Sequence, residues 1–413
     1  MSVFSPASAK EAGDVVAWAV AEEQPLELAG GGSKRGLGRP MQVSNVLDLS
    51  RLSGIADYEP AELVLTAATG TPLDAIETEL AARRQMLAFE PGDWRALLGT
   101  TERRQTIGGV VSGNLSGPRR IRAGAPRDHL LGFHAINGRG EAFKAGGKVV
   151  KNVTGYDLSQ LVAGAYGTLA ALTEVTLKVL PRPEDSRSVV VWGLDPGAAI
   201  RALGEGLNSP HEVSGAAHLP SALAARSGMT SISGAGTAAT VLRLEGFAPS
   251  VEYRCRALRD ALTAFGPVDE LASGDSERLW REIGDGALLA EPRERVVWRL
   301  SVPPSEAPAI AGAIHAGVEA EMLFDWGGGL IWASVGAGAP DGGAAAVRGA
   351  LAAHRAELGG GGHATLIRAP ESLRAAVDVF EPLPGPLAAL SARVKGNFDP
   401  RRVLNPGRMY AGI

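Results

Sequence analysis

The chain is nearly without cysteine: Cys255 is the only one in 413 residues. That excludes an intramolecular disulfide, and it excludes any cysteine-ligated metal or iron–sulfur cluster held by this chain alone. A single thiol also fits a reducing compartment. Histidine is scarce as well, with seven residues. His211 and His218 lack the spacing to acidic neighbours that a metal site needs, and His129 and His134 in DHLLGFHAI read as structural, so no metal is expected. Neither sign of charge dominates: 41 Lys and Arg face 45 Asp and Glu, interspersed, for a net charge of −4. No basic surface calls for nucleic acid. Long apolar runs are missing too. LVAGAYGTLAALT (161–173) is too short and too rich in glycine to span a bilayer. The start, MSVFSPASAKEAGD, lacks a basic stretch followed by an apolar one, so no secretory signal is read there. The expectation is a cytoplasmic protein, with any contact with the inner face of a membrane made through partners.

Glycine, by contrast, is abundant, and it punctuates a chain long enough for about two or three domains. Ser8 and Glu11 have capping-box spacing before VVAWAV, which predicts a helix over roughly 9–22. PLELA (25–29) and ELVLTAA (62–68) read as strands. Thr71-Pro72 reads as N-cap and first-turn proline of a helix running to about 85. From about 188 the rhythm changes: VVVWGL, TAATVLRLEG, RVVWRLSV and GLIWASVG alternate with alanine-rich helices such as VEYRCRALRDALTAF. That alternation predicts an antiparallel sheet with helices on one face. Most of the tryptophans at 192, 280, 298, 326 and 332 fall on these strands and helices and read as core and interface anchors. After EPLPGP (381–386) a last helix, LAALSARVKGNF, leads into a tail punctuated by proline. The division expected is 1–185, 186–380 and a terminal segment 381–413.

The motif with the most to explain is ELAGGGSKRGLGRP (27–40), a strand end followed by five glycines within nine positions. It fails the phosphate-loop pattern, since Lys34 follows a serine instead of the second glycine. It fails the nucleophile elbow as well, since residues 31–35 read GGSKR. What remains is a loop whose bare N–H groups can converge on an anion, or a plain surface turn. A second stretch, TIGGVVSGNLSGPRRIRAGAPRDHLLG (106–132), sets Ser112 and Asn114 beside Gly108-Gly109, with Arg119, Arg120 and Arg122 close behind. A third, 151–183, places Gly164 and Gly167 before a strand. Three such segments suit a long ligand with a pyrophosphate centre better than an isolated phosphate; the alternative is that the glycines merely mark turns in a chain rich in alanine and glycine. GAG with TAA (234–239) looks like a dinucleotide fingerprint, but the β-prone TVLRLEG follows where a helix is required.

GGGSKRGLG, TIGGVVSGN, GYDLSQLVAGAYGTLAALTE and LNPGRMY resemble, in order and spacing, the FAD-binding family of the vanillyl-alcohol oxidase, or PCMH, type. With SGPRR, RDHLLG and GGKVVKNVTGYDLS, the resemblance narrows to the FAD-binding subunits of glycolate oxidase. It implies an α+β fold: a two-lobed FAD-binding domain, an α+β cap with an antiparallel sheet, and a C-terminal segment returning to the FAD domain. It implies that Gly30, Gly31, Gly32, Ser33 and Lys34 wrap the pyrophosphate and that Leu37 and Gly38 close the turn. Thr106, Gly108, Gly109, Ser112 and Asn114 would line the pyrophosphate and the inner side of the flavin. Gly164, Gly167, Thr168, Thr173 and Glu174 would hold the ribityl and adenine parts, and Asn405 would return toward the isoalloxazine. Covalent members of the family use His or Cys. No histidine stands in the first two glycine cores and Cys255 lies in the cap, so non-covalent FAD is expected.

The implied activity is oxidation of glycolate, a 2-hydroxy acid, to glyoxylate, with electrons passing to a homologous FAD-containing catalytic subunit and an iron–sulfur subunit. Relatives acting on D-2-hydroxy acids carry a histidine-rich metal site in the cap. Here GGHATLIR (361–368) has Thr365 in the place of a second histidine and no Glu-His-Gly string occurs. His363 and Arg368 are the only catalytic candidates, as remnants of such a site. Two other readings stay open: a self-sufficient FAD-dependent 2-hydroxy acid dehydrogenase, and a flavin-binding structural subunit without catalysis.

Overall fold

A computed structural model of the chain describes residues 2–148, 155–359 and 361–413. The part of GGKVVKNVTGYDLS at 149–154 lies outside the described residues. The chain begins with a three-stranded parallel sheet, in the order Ser2–Phe4, Asn45–Asp48, Leu26–Ala29. Helix Ala9–Ala21 joins its edge strands. Its start is local chemistry: the Ser8 hydroxyl accepts from the Glu11 N–H, while the Glu11 carboxylate takes the Ala7 N–H. Ala12, Val16 and Ala19 then bury one face against the sheet.

A second sheet, of five antiparallel strands, runs Ile55–Glu59, Val64–Ala68, Ala170–Lys178, Leu130–Asn137, Ala142–Gly146. It packs on helices Leu73–Ala82 and Ile107–Gly113 through Leu65, Ile76, Leu80, Val110 and Val175. The expected cap at Thr71 is not made. The Thr71 hydroxyl bonds the carbonyls of Ala68 and Gly54, Pro72 takes the N-cap place without a side-chain bond, and the helix stops at Ala82.

The third sheet has eight antiparallel strands, in the order Val268–Leu271, Asp185–Trp192, Ala239–Gly246, Val213–Leu219, Ala320–Asp325, Leu330–Val335, Val296–Ser301, His363–Arg368. Its strands alternate between two apolar faces. Val296, Trp298 and Leu300 enter the core beneath helices Pro196–Leu207, Ala248–Leu262, Ala307–Gly317 and Ala344–Leu358. Val297, Trp332 and Leu330 face the other way, onto Leu37, Trp94, Leu97 and Leu115 of the N-terminal region. Helix Ser273–Gly284 also covers this second face, so the helices are not confined to one side as the sequence suggested.

Four charges lock the large sheet to the N-terminal region. Arg243 donates to both oxygens of Glu90 at 2.7 and 2.9 Å, and Arg119 to both of Glu245 at 3.0 and 2.8 Å. Burial alone would favour the neutral acid. Arg243 and Arg119 outweigh it and hold Glu245 at about 2.

The C-terminal helix Gly385–Phe398 leads into a tail that extends the parallel sheet. The Leu26 N–H donates to Val403 O at 2.7 Å, and the Asn405 N–H to Leu26 O at 3.0 Å. No helix among the described residues is long and apolar enough to cross a membrane.

Candidate cofactor site

Strand Leu26–Ala29 delivers the glycine loop to the foot of helix Ile107–Gly113. Gly31 is needed for that approach: a Cβ there would sit 2.1 Å from the Arg104 carbonyl oxygen. The loop therefore lies directly on segment 104–106. Between them opens a cleft of about 790 Å³, counting the part open to solvent. Its walls include Gly30, Gly31, Gly32, Ser33, Lys34, Leu37, Thr106, Gly108, Gly109, Ser112, Gly167 and Asn405, so most of the residues expected from the sequence meet in one place.

Gly38, Asn114, Gly164, Thr168, Thr173 and Glu174 stand outside that lining. Asn114 is the left-handed end of helix Ile107–Gly113, and its side chain accepts the Arg127 N–H. The Thr168 and Thr173 hydroxyls donate to the carbonyls of Ala165 and His134, and Glu174 pairs with His134 at 3.4 Å. These positions shape the elements behind the cleft.

Several lining residues were not picked out from the sequence: Leu28, Leu49, Thr69, Tyr166, Ala170, Leu172 and Arg408. Tyr166 and Arg408 lay inside quoted motifs, AGAYGT and NPGRMY, but nothing local marked their side chains. Asn405 is 2% exposed and staples three segments. Its Oδ1 accepts the Leu28 N–H at 2.7 Å and its Nδ2 donates to Tyr166 O at 2.7 Å.

The donor set decides what fits. Among the described residues no Asp or Glu lines the cleft, whereas Lys34, Arg35 and Arg408 do. Glu27 behind the wall pairs with Arg35 and lies 3.8 Å from Arg408, which leaves Lys34 as the lining cation without an ion pair among the described residues. Leu28, Leu49, Ala170 and Leu172 add apolar wall. A Cβ on Gly109 would meet nothing closer than 3.5 Å, so the missing side chain leaves space that belongs to a ligand. An anionic centre joined to flat apolar rings matches this lining. A wider cleft of about 2070 Å³ beyond Gln105 does not match. Its walls carry Asp74, Glu77, Glu90, Asp93 and Asp285 among arginines.

Lys34 turns its ammonium to Gln105 Oε1 at 2.7 Å. Burial, only partly opposed by Asp93, brings it down to about 7. A bound pyrophosphate restores the case for the charged form, so binding in this cleft takes up a proton above that value. Affinity for FAD is therefore expected to be greatest below pH 7 and to fall, by up to about tenfold per pH unit, as pH rises past 7. Reconstitution titrations of apoprotein between pH 6 and 9 read this directly. Lys34→Met should bind more weakly and lose the slope, and an unchanged slope in that variant would contradict the assignment.

A glycine-walled, cation-lined cleft of this shape, beneath a large antiparallel sheet, defines a flavoprotein oxidoreductase with FAD as its cofactor. Residues 2–146 match the FAD binding domain family. The chain is 35% identical over 395 residues to glycolate oxidase subunit GlcE of Escherichia coli (strain K12), covering 96% of this chain and 95% of that one. It belongs to that family. It is also 32% identical over 194 residues to a D-2-hydroxyglutarate dehydrogenase of Xanthomonas citri pv. viticola, across 46% of this chain and 39% of the relative. Among solved structures, 4-ethylphenol oxidase from Gulosibacter chungangensis shares the fold, with a TM-score of 0.71 at 14% identity over 99% of this chain and 89% of that one.

The two catalytic candidates part company in the structure. Arg368 donates to the carbonyls of Arg295, Leu97, Ala290 and Pro292 and braces the edge strand of the large sheet. His363 begins that strand opposite Ser301, on the side of the sheet turned to the N-terminal region. Surrounding protein, then Arg299, hold its imidazole below the usual value. Among the described residues no group of three His, Cys, Asp or Glu is placed to hold a metal ion.

Proposed function

We propose that this chain is the FAD-binding subunit of a glycolate oxidase complex, taking part in the oxidation of glycolate to glyoxylate. The observation that carries the reading is the 35% identity to a subunit of that name across nearly the whole of both chains. Bound FAD supplies a hydride acceptor at the flavin ring. This chain's residues do the rest. The Gly30–Lys34 loop, Thr106 and Gly109 hold the anionic centre. Leu28, Leu49, Ala170 and Leu172 give the apolar wall, and Asn405 fixes the returning tail against Tyr166. The large sheet packs against Leu37 and Tyr166 of the cleft wall.

The partners in this reading are a homologous FAD-containing subunit and an iron–sulfur subunit. With one cysteine in the sequence, electrons must leave through another chain. Neither His nor Cys lines the cleft, which supports non-covalent FAD. The reading also places the protein in the cytoplasm, meeting any membrane through its partners.

The purified single chain is expected to reduce an artificial dye with glycolate poorly or not at all, while the assembled complex does so. Acid precipitation should release its flavin. Robust turnover by the single chain would favour a self-sufficient dehydrogenase. If glycolate never bleaches this chain's flavin within the complex, the subunit is structural.

A further inference from the structure

On the face of the large sheet turned to the N-terminal region, one arginine has no partner. Arg299 sits mid-strand opposite Trp332 and Thr365. Its guanidinium lies 4.8 Å from the centroid of the Trp326 ring and 5.8 Å from that of Trp332. Its Nε is buried with no hydrogen-bond partner, and among the described residues no carboxylate pairs with it. Nearby Arg119 and Arg243 are each matched to a glutamate on both nitrogen arms. Arg299 is half-buried with two tryptophan rings as its compensation, and a buried Nε left without a partner costs free energy that an anionic ligand would recover.

A second cation converges from the N-terminal side. Arg120, in helix Arg120–Ala123, also places its guanidinium 4.8 Å from the Trp326 centroid, with Ser116 Oγ as its hydrogen-bond partner at 3.1 Å. It too has no carboxylate partner among the described residues. Trp326 is held in place by a left-handed backbone (φ 54°) and by donation from its indole N–H to Gly117 O at 3.1 Å. The two guanidiniums therefore share one fixed ring and repel one another. Burial, and then Arg120, bring Arg299 down to about 10. Asp325 is the acid acting on Arg299, but it is 2% exposed, and burial pushes its carboxyl up to about 7. Its Oδ1 takes the Trp326 N–H at 2.7 Å, and among the described residues it makes no ion pair with either guanidinium.

The location gives the site meaning. Tyr166, whose main chain is stapled by Asn405 and which lines the cofactor cleft, packs against the apolar cluster that contains Trp326 and Trp332. His363 and Thr365 lie on the same face of the edge strand beside it.

We propose that Arg299 and Arg120, set against Trp326, form a binding site for the carboxylate of a small 2-hydroxy acid, holding it beside Tyr166 at the edge of the cofactor cleft. The proposal rests on the reading above, and it names where the substrate's anionic end is received. A fork of N–H donors on a planar aromatic support suits a planar carboxylate. Two cations suit a small, strongly hydrated anion that offers little apolar area to bind by.

The test uses the FAD-loaded chain and oxalate, a two-carbon anion that lacks the oxidisable C–H bond. Binding is read by calorimetry and by perturbation of the flavin absorbance. Wild type should bind oxalate. Arg299→Gln should weaken binding roughly tenfold to a hundredfold, the range for a lost hydrogen-bonded charge, with FAD content unchanged. Arg299→Lys keeps the charge without the fork and should fall between. Arg120→Gln can still bond Ser116 and should also weaken binding. If Arg299→Gln does not fold, Arg299→Lys and Arg120→Gln carry the comparison. Equal oxalate affinity in wild type and the variants, or no binding to wild type, overturns the site. Should glycolate bleach the flavin in the complex while oxalate ignores these arginines, the site is wrong and the function stands. If oxalate binding depends on Arg299 but glycolate never bleaches the flavin, the site is upheld and the function reading fails.

Discussion

Gly31→Ala should yield a protein that purifies without flavin. The new Cβ would lie 2.1 Å from the Arg104 carbonyl oxygen and 2.8 Å from its carbonyl carbon, both main-chain atoms that cannot swing aside. Either the loop lifts off segment 104–106 or that segment retreats, and either shift displaces a wall of the proposed cofactor cleft. A displacement near 1 Å breaks charge-assisted hydrogen bonds worth about 1.5–3 kcal/mol each. Losing two of them lowers FAD affinity by roughly two to four orders of magnitude. The measurement is the ratio of flavin to protein absorbance after gel filtration, followed by titration of the apoprotein with FAD. Gly36→Ala is the control: it lies in the same loop, and its Cβ would meet no atom within 4 Å. It should keep its flavin. Equal flavin content in the two variants would show that the loop does not hold the cofactor.

This contrast also marks what was legible in the chain. In the Gly30–Gly38 loop glycine itself is the signal that drew attention, but the glycines differ in their demand: Gly31 lies against Arg104 and Gly30 against Thr106, whereas Gly36 has open space. Helix Ala9–Ala21 could be read because its cap is made within four residues. Thr71 misled because a hydroxyl before a proline has carbonyls to serve as well as a helix to cap, and here it served Ala68 and Gly54.

The large sheet was legible as alternating strands. Its order was not, since strand 363–368 pairs with strand 296–301 across more than sixty residues. For the same reason Arg299 gave no signal: one arginine in RVVWRLSV reads as a solvated position until the second face of the sheet is seen to be covered. Tyr166 and Asn405 lie far apart in the chain, and only the returning tail brings them together. The sequence pattern thus reports residues whose demand is local, whereas Arg299, Tyr166 and Asn405 are placed by distant segments meeting.

That tail supports the last expectation, that Lys395→Ala destabilises the protein and loosens its hold on FAD together. Lys395 is 1% exposed and Asp399 0%. The ammonium donates to Asp399 Oδ2 at 2.7 Å, Thr168 O at 2.6 Å and Leu404 O at 2.8 Å, so all three of its protons are used. Asp399 in turn accepts the N–H groups of Val403 and Leu404, both at 2.9 Å. A fully bonded buried pair adds little over an apolar replacement, but removing one partner leaves the other charge stranded, at a cost of about 3–5 kcal/mol.

The first thermal transition of Lys395→Ala should therefore fall by several degrees, roughly 5–10 °C. The effect reaches the cofactor because Leu404, released from the ammonium, precedes Asn405, which links Leu28 to Tyr166 at the cleft wall. FAD affinity should drop in the same variant although Lys395 does not line the cleft. Lys395→Met with Asp399→Asn removes both charges while leaving an acceptor for the Val403 N–H, and it should recover much of both losses. A lower transition with unchanged FAD affinity would mean that Asn405 keeps its place without the buried pair. The tail would then be anchored by its strand pairing to Leu26 alone.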